Sequence, residues 1–157
     1  MSNQELIEKF YTSFQKKDYQ GMQSCYHENI TFSDPAFPNL KGKEAGAMWE
    51  MLCSVGGNLE ITFNNLKVAA DSGSVHWEAK YKFSATGRFV HNKIDATFRF
   101  SDGKIIAHTD YFNFWKWSKM ALGTPGMLLG WSSFLQNKVQ KTAGEKLEKF
   151  IKKGANI

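Results

Sequence analysis

Cysteine is scarce in this sequence: Cys25 and Cys53 are the only two in 157 residues. Both fall among apolar residues at helical spacing, so they read as buried free thiols in a reducing compartment, which points to the cytoplasm. They lack metal-ligand spacing and no His/Cys cluster accompanies them, so no zinc or other metal is expected. Long hydrophobic runs are also missing. The longest, Met120 to Trp131, is broken by Gly123, Pro125, Gly126 and Gly130, which excludes a membrane span, and no membrane partner is expected. The first residues carry neither a basic nor an apolar signal region, so no secretory leader is expected. There is no glycine-rich phosphate loop, no Gly-x-Ser-x-Gly elbow and no internal repeat. No cofactor is implied.

What the chain does contain is aromatic. Phe, Trp and Tyr make up 15% of it, with 13 Phe and 5 Trp, which suggests a bulky interior or an aromatic-lined cavity for an apolar small molecule. The net charge is +5. Much of it comes from Lys138, Lys141, Lys146, Lys149, Lys152 and Lys153. These read as a solvated helix face rather than a nucleic-acid surface, so no nucleic acid is expected as a partner.

Hydrophobic periodicity sets the order of elements. Ser2 and Glu5 form a capping box before Leu6, Ile7, Phe10, Tyr11 and Phe14, a helix to about Lys17. Asp18 caps a short second helix burying Met22, Cys25 and Tyr26. Ile30–Ser33 is a strand, stopped by Asp34-Pro35. Lys43–Ser54 is a third helix, ended by Gly56-Gly57. Four longer strands follow. Leu59, Ile61 and Phe63 alternate, then Leu66 and Val68, with a bulge near Asn64-Asn65. Val75 to Phe83 has period two, as does Val90, Asn92, Ile94, Ala96, Phe98 and Phe100. The last strand puts Ile106, His108, Asp110, Phe112 and Phe114 on one face, with Tyr111 and Trp115 outward. A helical tail runs from Gly126 to Lys153, and Met120, Leu122, Met127, Leu128, Leu129 and Trp131 should be buried as a lid or brace.

Helices followed by a meander of strands argue for α+β. The expectation is one domain over 1–157, with a core of about 1–117 and a helical extension of about 118–153. A strongly bent antiparallel sheet would pack on N-terminal helices and enclose a pocket.

Within that pocket, residues two apart on a strand face the same way, so His108 and Asp110 project together. An apolar wall raises a carboxylate's pKa and suits it to acid/base work. Asn92 faces the same interior and Asp34 closes a strand near its mouth. The plainer readings are a buried structural pair for His108 and Asp110, and a turn cap for Asp34.

The order Phe14-Gln15-Lys16-Lys17-Asp18-Tyr19, Ile30-Thr31-Phe32-Ser33-Asp34-Pro35, Gly42, then Phe98-Arg99-Phe100-Ser101-Asp102-Gly103-Lys104-Ile105-Ile106 resembles the nuclear transport factor two-like superfamily. Its ketosteroid-isomerase-like and SnoaL-like branch is the nearest match. Thr86-Gly87-Arg88, His91-Asn92, His108 to Phe112 and Leu128-Leu129-Gly130-Trp131 resemble a bacterial subgroup with an added C-terminal helix. The resemblance implies a cone-shaped, pocket-forming fold and a homodimer. It places Asp34 at the steroid isomerase base, but puts Phe10 and Ala96 where that enzyme has its oxyanion donors. Ile94 and Ala96 stand where limonene epoxide hydrolase needs Arg and Asp. Neither activity is therefore implied. Asp110 falls at the acid/base Asp of SnoaL-like cyclases. The expected function is acid/base chemistry on an apolar, carbonyl-bearing substrate. Asp110, His108 and Asp34 would be catalytic, and Asn92, Tyr11, Trp49, Phe98 and Phe112 would hold the substrate. A non-catalytic ligand-binding module or a dimeric interaction protein are the alternatives.

Overall fold

The computed structural model describes residues 1–54 and 58–155. The expected helix stop at Gly56-Gly57 lies outside the described residues. Three helices come first: α1 (Asn3–Gln15), α2 (Tyr19–Ser24) and α3 (Lys43–Ser54). The Ser2–Glu5 capping box forms, and Asp18 caps α2 by accepting from Gly21. Strands β1 (Tyr26–Ser33) and β2 (Leu40–Lys41) flank the Asp34-Pro35 corner, and β3 (Glu60–Val68), β4 (Ser72–Phe83), β5 (Arg88–Ser101) and β6 (Lys104–Tyr111) form the meander. They make one sheet in the order β2-β1-β6-β5-β4-β3. All its pairs are antiparallel except β1 with β6, which run parallel. The expected bulge appears between Asn64 and Lys67.

The inner face of the curled sheet carries Val75, Trp77, Ala79, Val90, Ile94, Ala96 and Phe98, all buried against Leu6, Ile7, Phe10, Tyr11 and Phe14 of α1 and Trp49 of α3. Arg99 faces solvent, as the parity of β5 requires. Asp102 and Gly103 both adopt positive φ at the β5–β6 turn, the conformation a tight hairpin with right-handed twist demands.

Several expectations need correction. Ile105, not Ile106, is the buried residue. Phe100 pairs with Ile105 while Arg99 pairs with Ala107, so Ile106 is the extra residue of a bulge that reverses the parity. The last strand ends at Tyr111. Asn113 then caps a helix, α4 (Phe114–Leu122), by accepting from the Lys116 amide. Phe114 and Trp115 are therefore helical residues, and the expected boundary near 117 falls inside α4. The tail is two further helices, α5 (Thr124–Leu129) and α6 (Ser133–Ala155). Met120 and Leu122 pack partly against the core, but Met127, Leu128, Leu129 and Trp131 stay exposed. The cause is Gly126 and Gly130. Four apart on one side, they lie against Ser118 of α4 so closely that a Cβ on either would overlap it, and this turns the residues between them outward.

That contact gives a direct test. Gly126→Ala forces α5 off α4, and overpacking of this kind costs about 1–3 kcal/mol. Thermal unfolding of the variant should show a lowered midpoint. An unchanged midpoint would mean that the α4–α5 contact contributes nothing.

Helix α6 packs along α3, with Leu135 and Leu147 buried. Gln136 and Gln140 both donate to the carbonyl oxygen of Pro35. The C-terminal helix is thereby fastened to the corner that carries Asp34.

Candidate active site

The register of the parallel pair builds the site. Phe32 lies beside His108 and Ser33 beside Thr109, so one residue further Asp34 comes alongside Asp110. Both face inward by parity. His108 is 1% exposed and Asp110 is 4% exposed.

His108 is encased by the rings of Phe10, Phe32, Trp49 and Phe98, the last at 4.5 Å between centroids. Its hydrogen bonds run in one direction. Trp49 donates its indole N–H to the Tyr26 hydroxyl at 2.8 Å. That hydroxyl lies 2.7 Å from Nδ1 of His108, its only acceptor among the described contacts. The proton of the imidazole therefore sits on Nε2, which is 2.9 Å from Oδ1 of Asp110. The same Oδ1 accepts the indole N–H of Trp77 at 3.2 Å. Oδ2 takes no hydrogen bond among the described residues.

Tyr11 supplies the complementary feature. It is 0% exposed and its hydroxyl is the one buried side-chain polar atom without a partner among the described residues. Burial first, then the charges of Asp110 and Tyr26, push its pKa well above the ordinary value. The hydroxyl therefore stays protonated and can donate. Leaving such a group unpaired costs about 1–3 kcal/mol.

Asp34 accepts the backbone N–H groups of Ala36 and Phe37 on one oxygen. It keeps some exposed surface, yet burial of its carboxyl group pushes the pKa up to about 7; the Phe37 amide opposes the rise, the Asp110 charge adds to it and the Ala36 amide opposes it. Tyr81, whose hydroxyl accepts from the Trp117 indole at 2.9 Å, senses the Asp34 charge.

The raised pKa has a consequence for stability. The ordinary carboxyl value is 3.8, so between about pH 4 and pH 7 the unfolded chain releases a proton that the folded chain retains. Stability from Asp34 is full below that window and falls as pH rises through it. Asn keeps the acceptor oxygen and cannot ionise. Asp34→Asn should therefore gain stability relative to the parent as pH rises, reaching on the order of 4 kcal/mol above pH 7, about 1.4 kcal/mol for each unit between 3.8 and about 7. Parallel unfolding curves at pH 4 and pH 8 measure the difference. An equal difference at both pH values would contradict the shift.

The structure thus brings Asp110, His108, Asp34 and Tyr11 together. Phe98 packs on His108 as its cross-strand partner. Trp49 is committed to Tyr26 and His108. Asn92 and Phe112 lie elsewhere, lining a cleft with Met120 below α4. Asn92 is four residues along β5 from Ala96, the partner of Asp110, or roughly 13 Å. Sequence reasoning missed Tyr26 and Trp77 as polar partners. A buried indole or phenol needs an acceptor, and small Ala96, between Val75 and Asp110, leaves room for Trp77 to reach across β5. Among the described residues no cluster of His, Cys, Asp and Glu is placed to hold a metal ion, and no helix is long and apolar enough to cross a membrane.

Comparison with known proteins agrees with this architecture. No curated protein matches the chain in sequence. Among solved structures, TsrD from Streptomyces laurentii has a TM-score of 0.65 at 20% identity, over 76% of this chain and 96% of that one. A Catenulispora acidiphila protein with a ketosteroid isomerase-like fold, in complex with trimethylamine, has a TM-score of 0.66 at 14% identity, over 78% and 95%. An M. tuberculosis LEH-like epoxide hydrolase has a TM-score of 0.64 at 14% identity, over 79% and 90%. At these identities the likeness is one of fold. The sequence profile of SnoaL-like domains matches residues 7–108, most of the chain, and the protein accordingly belongs to the family of SnoaL-like domains.

Proposed function

We propose that this protein is an acid/base enzyme that moves a proton on an apolar, carbonyl-bearing small molecule. The observation that carries the reading is the pairing of an unpartnered buried donor, the Tyr11 hydroxyl, with the uncommitted Oδ2 of Asp110. Asp110 abstracts the proton beside the carbonyl, and Tyr11 donates to the oxygen where negative charge develops. His108 positions Asp110 and is itself aligned by Tyr26 and Trp49. Asp34, with its pKa near neutrality, returns the proton at the mouth. Aromatic walls exclude water and strengthen each of these interactions.

The test is proton exchange. Apolar ketones incubated with the protein in deuterated water should lose the α-proton signal in nuclear magnetic resonance spectra, and Asp110→Asn should abolish that loss. The burial of Asp110 and His108 favours a second reading, a module that holds an apolar ligand without turning it over. Ketones that bind without exchange would support it against the first.

A homodimer belongs to the same proposal. Thr97, Ala107 and Thr109 put small side chains on the outer face of β5 and β6, along a cleft shared with Arg99 that a second copy would fill. Trp115, now on α4, no longer contributes to that face. Light scattering at micromolar concentration should give twice the chain mass, and Thr109→Lys should return it to a single mass. A monomer in both cases would contradict the dimer.

A further inference from the structure

We propose that the corner joining α5 to α6 docks on an anionic lipid surface. This goes against the expectation of no membrane partner, which rested on the lack of a span; the contact proposed is peripheral. Met127, Leu128, Leu129, Trp131 and Phe134 are all exposed, Trp131 at 73% and Phe134 at 68%. A run of large apolar side chains left in water this way marks an interaction site. The corner is held rather than loose. Gly126 and Gly130 seat α5 on α4, Trp115 donates to the Met127 carbonyl and Trp131 to that of Leu128.

Charge decides the occupant. From Tyr111 to Gly144 the chain has no Asp or Glu, while Lys116, Lys119, Lys138 and Lys141 lie in that stretch. Lys119 sits over the Trp115 ring at 4.0 Å. Lys138 and Lys141 are four and seven residues beyond Phe134 in α6, on the same exposed face. Exposed Trp, Phe and Leu with lysines as the only charges from Tyr111 to Gly144, the next charge along α6 being Glu145, are the makeup of a segment that lies in a negatively charged lipid interface. A second copy meeting this one corner to corner would oppose lysine with lysine, with no carboxylate from the stretch to offset them.

The same helix covers the corner of Asp34, since Gln136 and Gln140 hold Pro35. An apolar ligand dissolved in lipid would thus meet the protein beside the corner that carries Asp34. The proposal stands whether or not that ligand is turned over.

The experiment is co-sedimentation of the full chain with vesicles of phosphatidylcholine alone and of a phosphatidylcholine–phosphatidylserine mixture. Binding is expected to the mixture and to weaken with added salt. Trp131→Ser combined with Phe134→Ser should weaken it roughly tenfold or more. These side chains are exposed, so circular dichroism should show an intact fold. Lys138→Gln with Lys141→Gln should do the same by charge alone, at about fivefold per lysine. The proposal is overturned by no binding to the mixture, or by equal, salt-independent binding to both vesicles. Self-association that the Trp131/Phe134 variant abolishes, without lipid binding, would overturn it too and assign the corner to a second copy.

Discussion

Asp110→Asn is expected to lower turnover by a hundredfold or more while leaving the protein folded. The size follows from the role: loss of a positioned general base commonly costs two to four orders of magnitude, or about 100–10,000-fold. The survival of the fold follows from geometry. Nε2 of His108 and the Trp77 indole both donate to Oδ1 of Asp110, and the carbonyl oxygen of Asn accepts both in the same place. What is lost is the charge and Oδ2, which becomes an amide N–H₂. Hydrogen bonds to a charged acceptor are roughly twice as strong as neutral ones, so a stability loss of about 1–2 kcal/mol should accompany the change. Steady-state rates on a substrate found by the exchange test, together with unfolding curves, separate the two effects. Turnover within a few-fold of the parent would remove Asp110 as the base and leave the ligand-binding reading.

The parts of this site readable from the sequence are those that parity controls. Alternation of side chains on a strand puts His108, Asp110 and Phe98 inward, and they lie inward because β5 and β6 are paired without interruption from Asp95–Tyr111 to Arg99–Ala107. The parity argument fails at the two places where the chain leaves that ladder. At Ile106 a bulge reverses the faces, and periodicity alone does not tell which of two adjacent isoleucines is the inserted one. After Tyr111 the run Phe112, Phe114 continues the strand pattern, but the Asn113 cap turns it into a helix. Apolar residues two apart fit either structure over so short a span. Asn92 shows another limit. It shares a face with Ala96, as parity said, but parity carries no distance along the strand, and the site is a matter of position as well as face. The partners of His108 and Asp110 were hidden for a further reason. Tyr26 precedes the expected strand, and Trp77 lies two strands away from Asp110, so each contact depends on the sheet order and the bend of the sheet. The exposed corner at Leu128 and Trp131 reversed the simple rule that apolar residues go inside. Two glycines facing Ser118 fixed the orientation there, and the nearness of Gly126 and Gly130 to one serine is a fact of tertiary packing.

Tyr11→Phe is expected to raise stability and lower activity at once. The hydroxyl is fully buried and has no hydrogen-bond partner among the described residues, so the folded protein bears its desolvation without return. Removing it should stabilise the fold by on the order of 1 kcal/mol, a rise of roughly 2–4 °C in the unfolding midpoint for a domain of this size. The ring itself stays in place, stacked on Phe63 at 5.3 Å and edge-on to Phe10 at 5.1 Å, so packing is conserved. The effect on chemistry runs the other way. A donor aimed at developing negative charge in a dry site contributes strongly to the rate, and removing one commonly costs on the order of a hundredfold. No purely structural role gives this combination, because a structural hydroxyl loses stability when deleted. A ligand-binding role gives the stability gain with weaker affinity and no turnover to lose. Thermal unfolding and exchange rates measured on the same preparation distinguish the three. A lowered midpoint would show that the hydroxyl is satisfied in solution, and the assignment of Tyr11 as the donor to substrate oxygen would fall with it.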